Sequence, residues 1–115
     1  MSKHDPLLRF RHMLDYSREA VEMAGDKTSG ELEKNRQLSL ALIHLVELIG
    51  EAASQVPREM QAQYPQIPWP EIIGTRNRLI HGYESVDYDI LFETIKNDLP
   101  PLIVTLANIL QKKEQ

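Results

Sequence analysis

The chain has 115 residues, 13 Lys and Arg against 17 Asp and Glu, no cysteine, and a formal net charge of −4 at pH 7. That length accommodates one domain around one modest core and excludes two, and the lack of cysteine excludes disulfides, thiolate catalysis and cysteine zinc sites. The acidic balance argues against a surface built for tight non-specific nucleic-acid binding by counterion release, so any RNA contact must be local.

In chain order, Asp5 and Pro6 form an N-cap and first-turn pair, and Leu7, Phe10, Leu14, Ser17, Val21 and Ala24 recur at helical spacing until Gly25 stops the run. Asp26 to Gly30 is a polar connection. A second helix is predicted from about Glu31 to Val56, with Leu38, Leu42, Leu45, Ile49 and Ala53 as its stripe and Leu40, Ile43, Val46 and Leu48 widening it. Such an apolar helix belongs at the centre of a bundle or against a second subunit. Pro57 ends it, and Pro65, Pro68 and Pro70 interrupt the following connector. Pro70 then starts a helix carrying Ile72, Ile73, Arg76, Leu79 and Ile80 up to Gly82, with Trp69 packing at its start. After a turn from Tyr83 to Asp87, a last helix is predicted from about Tyr88 to Lys112, kinked where Pro100 and Pro101 lack backbone donors. No segment alternates as a strand does. The expected fold class is all-α, an antiparallel helical bundle of four main helices plus one short extra helix, in a single domain spanning residues 1–115. The first residues lack the apolar core of a secretory leader, and no apolar run approaches the ~20 residues that span a bilayer. A soluble, cytoplasmic protein with no membrane partner is therefore expected.

Chemistry concentrates in Arg76-Asn77-Arg78-Leu79-Ile80-His81-Gly82-Tyr83. Arginine presents a planar fork of donors matched to phosphate oxygens, and histidine exchanges a proton near neutral pH. Together they suggest phosphodiester chemistry. The plain structural alternative is a helix C-terminus whose cations offset the macrodipole, with Gly82 as C-cap and Tyr83 packed over it. On an unbroken helix, Arg76 and His81 would diverge by roughly 140°. If the helix ends at Gly82, His81 lies in or just past the last turn and is free to turn toward Arg76.

The pattern Arg, four residues, His, one residue, Tyr resembles the signature of the HEPN-domain ribonucleases of the HepT-like type, toxins of HEPN/MNT toxin–antitoxin pairs. Leu48-Ile49-Gly50-Glu51-Ala52-Ala53, Trp69 with Ile72-Ile73-Gly74, and Asn97-Asp98-Leu99-Pro100-Pro101-Leu102 stand in the same order as in that family, so the likeness covers nearly the whole chain. The resemblance implies a homodimer with both signatures near one cleft, an RNA substrate, and a type VII partnership with an MNT nucleotidyltransferase antitoxin that adenylylates Tyr83. In this reading the ribose 2′-hydroxyl attacks its neighbouring phosphate without a metal or cofactor, His81 serves as acid or base, and Arg76 stabilises charge on the phosphoryl oxygens. Asn77 orients the cleft, Tyr83 holds substrate or positions His81, and Arg78 binds phosphate or is a solvated surface residue.

Two further readings stand beside this one. His44, Glu47 and Glu51 share helical spacing that could gather a metal, but the chain has no Glu-x-x-His copy of the kind di-metal bundles use. A polar interface patch explains them better, and Glu51 could instead brace the fork of Arg76. The alternative function is a non-catalytic HEPN module that docks a nucleotidyltransferase. A purely structural helical dimer would leave the signature unexplained.

Overall fold

The structure, a computed structural model, describes residue 5, residues 7–81 and residues 85–113, with His81 described through its backbone alone. Helix α1 spans Leu8–Ala24 and buries Phe10, Met13, Leu14, Ser17, Ala20 and Ala24 along one stripe. Asp5 acts ahead of it, its Oδ1 accepting from the Leu7 N–H at 2.9 Å, while the helix proper begins at Leu8. The other half of the expected pair, Pro6, lies outside the described residues. Gly25 stops α1 at φ +54°, a left-handed backbone that costs glycine little. The Gly25 carbonyl accepts from Lys96 Nζ, so a distant lysine covers the negative end of this helix.

The predicted second helix is two helices. Helix α2 spans Ser29–Lys34 and α3 spans Arg36–Ser54, with Asn35 ending the first and capping the second. The Asn35 side chain accepts from the Leu38 N–H at 3.0 Å, the local hydrogen bonding by which Asn opens helices and interrupts their interiors. Hydrophobic spacing alone did not register the break because Leu32 and Leu38 continue the apolar series across it. Ser39, buried in α3, donates back to the Leu32 carbonyl and closes the joint. Helix α3 is long and apolar enough, by length and composition, to cross a membrane, against the expectation that no run approaches that size. Leu42, Ile43, Leu45, Val46, Ile49, Ala52 and Ala53 are all buried in the core, and the helix packs on both α1 and α5.

A short α4 (Arg58–Gln63) leads to α5 (Trp69–Leu79). Trp69 anchors the start of α5: it is buried, its indole Nε1 donates to the Gln61 and Tyr64 carbonyls at 3.1 Å each, and Phe10 meets its ring edge-on at 5.8 Å. Pro70 falls in the first turn, where a missing N–H leaves no helix bond unmade. Helix α5 ends at Leu79 rather than at Gly82. Ile80–His81 form a short strand, β1, antiparallel to β2 (Ser85–Val86), in the register Ile80 with Val86 and His81 with Ser85. The Asp87 N–H donates to the Leu79 carbonyl at 2.8 Å, so the chain that returns from the hairpin satisfies an end carbonyl of the helix. The strand pair, absent from the sequence expectation, is too short to show a two-residue alternation.

Beyond the hairpin, Asp87 caps α6 (Tyr88–Glu93) by accepting from Ile90 N–H at 3.1 Å. Five residues of π-helix follow, Thr94–Asp98, and then α7, Leu99–Lys113. The disruption expected at Pro100 and Pro101 is therefore a wide turn immediately before them. The Leu99 N–H reaches back to the Thr94 carbonyl, five residues earlier, which accommodates the two rings that an α-turn would drive into the preceding carbonyls. The described chain is helical apart from the hairpin and connections, which agrees with an all-α class. Helix α1 lies between α3 and α7, and α5 closes on the other side of α3.

Candidate active site

The crossing of α3 and α5 builds the site. A Cβ placed on Gly50 would stand 3.2 Å from the Ile72 carbonyl oxygen, so the glycine lets the α5 backbone lie directly against α3. One turn onward along α5 from Ile72 is Arg76, and one turn back along α3 from Gly50 is Glu47. The two helices run antiparallel here, so these residues meet: Arg76 Nε donates to Glu47 Oε2 at 2.8 Å. The Arg76 side chain is 61% exposed and that of Glu47 30%. Nε is the only guanidinium nitrogen with a partner among the described residues, which leaves the outer fork open to a ligand.

Glu51, expected to brace Arg76, lies one turn on from Glu47 along α3, and its Oε2 accepts from Gln55 Nε2 at 2.9 Å. The bracing carboxylate is Glu47. The sequence offered a signal for it in the glycine inside an apolar helix, which marks close backbone approach, but the direction of the crossing, which selects Glu47 over Glu51, is a tertiary fact. His44 Nδ1 sits 4.0 Å from the other oxygen of Glu47. Among the described residues no group of three or more His, Asp or Glu is arranged to hold a metal ion, and Glu51 is not drawn in with His44 and Glu47.

Arg78 faces a different way. Two residues on from Arg76, it is turned by roughly 200°, and its Nη2 donates to Thr75 Oγ1 at 3.1 Å and the Glu71 carbonyl at 3.3 Å. There it borders a cleft of about 520 Å³ between α3, α5 and the start of α7, lined in part by Val46, Ile72, Leu102, Asn97 and Asp98. Asn77 is exposed beside Arg76. His81 follows as the second residue of β1, two residues past the end of α5. The His81 side chain, Gly82 and Tyr83 lie outside the described residues, so the expectations placed on them stand on the sequence.

Comparison with known proteins bears on this arrangement. The family model described as ribonuclease HepT-like matches residues 13–109. A Methanocaldococcus jannaschii protein that carries a provisional RNase name is 32% identical over 102 residues, covering 89% of this chain and 94% of its own. Another so named, from Caldanaerobacter subterraneus subsp. tengcongensis, is 34% identical over 103 residues, covering 90% and 92%. A Thermococcus cleftensis protein provisionally named ribonuclease HepT is 38% identical over 68 residues, covering 59% and 62%. No solved structure gives a significant match. With the model matched over most of its length, the chain belongs to the HepT-like ribonuclease family.

Proposed function

We propose that this protein is a metal-independent endoribonuclease, the toxin of a type VII HEPN/MNT toxin–antitoxin pair, acting as a cytoplasmic homodimer. The observation that carries the reading is an arginine anchored through Nε with its outer fork exposed, at the end of the helix that leads directly into the strand bearing His81. The fork binds two non-bridging oxygens of a phosphodiester and stabilises the charge that builds on them. His81 takes the proton from the ribose 2′-hydroxyl or gives one to the departing 5′-oxygen, and a second His81 across a dimer cleft performs the other transfer. Asn77 lies on the solvent side of this group, where it orients substrate. Tyr83 is the acceptor of adenylyl groups from the cognate nucleotidyltransferase. Each group places a phosphate and a base beside Arg76 and so competes with RNA.

The purified protein should cut single-stranded RNA in the presence of chelator and leave a 2′,3′-cyclic phosphate end. Arg76→Ala and His81→Ala should each keep the helical circular dichroism of the parent and lose cleavage by a factor of a hundred or more, on the order of removing a charge-stabilising or proton-transfer group. Incubation with the cognate transferase, ATP and magnesium should add whole adenylyl masses to the peptide containing Tyr83, and Tyr83→Phe should accept none. Full activity in His81→Ala would remove the histidine from the mechanism. Inhibition without added mass would point to steric blocking by a docked partner.

A further inference from the structure

We propose that Glu47 is a positioning residue of this site: its carboxylate holds the Arg76 guanidinium in the orientation that presents the outer fork to phosphate. The inference rests on the proposed ribonuclease function for its catalytic consequence and on the α3–α5 crossing for its geometry. An unrestrained arginine side chain samples many rotamers, and an exposed one must be ordered each time it engages a ligand. Here the Nε–H is already committed to Glu47 Oε2 at 2.8 Å, and that bond fixes the plane of the guanidinium. Glu47 itself is two-thirds covered and sits one turn from the Gly50 contact, where the backbones of α3 and α5 lie closest, so it is held by the stiffest part of the crossing. Its second oxygen is turned toward His44 at 4.0 Å rather than toward Arg76, so the pair is single-pronged and the two Nη groups stay available.

A carboxylate beside a phosphate-binding arginine has an opposing effect too, because it repels the polyanion. This yields a pattern that mere structural support would not produce. Removing the carboxylate relieves the repulsion, so RNA should bind as well or better. Removing it also frees the guanidinium to wander, and misplacement by about 1 Å is enough to cost on the order of a hundredfold in a chemical step. Affinity and turnover should therefore separate in Glu47→Ala.

Two measurements on the full chain decide the matter. In the free protein, the ¹⁵N–¹H signal of Arg76 Nε should be sharp and slow to exchange in the parent, assigned by its loss in Arg76→Lys, and should broaden or shift in Glu47→Ala. In single-turnover cleavage of a single-stranded RNA, Glu47→Ala should react at least tenfold more slowly, with a dissociation constant equal to the parent's or lower. Glu47→Gln keeps a neutral oxygen acceptor and should recover part of both the signal and the rate, and it covers the case in which the alanine variant folds poorly. An Nε signal indifferent to both substitutions would overturn the proposal, as would cleavage at the parental rate or loss of affinity in step with rate. If the parent cuts no RNA, the ribonuclease reading fails, and the Nε signal still decides whether Glu47 holds the fork.

Discussion

Two glycines in neighbouring helices have opposite environments, and they show how far a single residue can set the site. At Gly50 an added methyl would press on the Ile72 carbonyl at 3.2 Å, whereas at Gly74 nothing stands within 4 Å. Alanine is favoured over glycine inside a helix by about 1 kcal/mol. At Gly74 that gain is unopposed, and Gly74→Ala should raise stability by roughly that amount. At Gly50 the neighbour is backbone of a helix anchored by Trp69, which cannot yield cheaply, and overpacking of this kind costs about 1–3 kcal/mol. Gly50→Ala should thus be destabilising by roughly 1 kcal/mol net. Urea unfolding midpoints will give the two signs, and a stabilised Gly50→Ala would mean that α5 slides freely on α3. Sequence made Arg76 legible as a candidate phosphate ligand because the donor fork is carried by the residue itself. Glu47 was legible only as one of three acidic or imidazole groups on one helix face, since its role depends on which way α5 crosses.

Among elements, the short helix α2 buries Leu32 in the core and carries a reciprocal cap at its start. Thr28 and Glu31 form a reciprocal capping box, with Glu31 N–H donating to Thr28 Oγ1 at 3.2 Å and Thr28 N–H donating to Glu31 Oε1 at 3.0 Å. Acceptance of the Thr28 backbone N–H, helped by its hydroxyl, holds the Glu31 carboxyl below the usual glutamate range. A carboxyl whose folded-state pKa is depressed contributes stability above its unfolded value and loses it as the pH falls through the folded one. Glu31→Gln should therefore lower stability slightly near neutrality and leave it nearly unchanged at low pH, which flattens the acid side of the stability–pH curve. The effect will be slight because Glu31 is fully exposed, and it is best read by difference in thermal midpoints between pH 3 and pH 7, conditions chosen on either side of the carboxylate range. Two element boundaries missed from sequence lie where local polar chemistry overrides hydrophobic spacing: Asn35 splits the long apolar series, and the Asp87 N–H on Leu79 helps close α5 three residues before Gly82.

At the scale of the whole molecule, the helical class and the order of the long helices were legible because a core of this kind repeats every three to four residues. What surrounds the bundle was not. Leu40, Ile73 and Val104 are exposed large apolar side chains, 51%, 38% and 60% open, and the molecule is elongated at 43 × 27 × 26 Å. Burial of such surface in a self-complementary interface is the expected response. Sedimentation at micromolar concentration should report a dimer, and a monomer that cleaves RNA at full rate would refute a shared cleft. The π turn ahead of Pro100 has its own consequence for heredity. Leu91 and Leu99 are both buried, yet eight residues of uniform α-helix would leave them about 80° apart. The wider turn from Thr94 to Asp98 absorbs that angle and puts the apolar row of α7 back in line with that of α6. A one-codon deletion within it would close the turn to ordinary helix and leave seven residues between Leu91 and Leu99, roughly 20° from alignment, so Leu102, Leu106 and Leu110 would keep facing the core, whereas a one-codon insertion would add about 100° and turn them away. Gene variants one residue longer at this point should then be selected against far more strongly than variants one residue shorter.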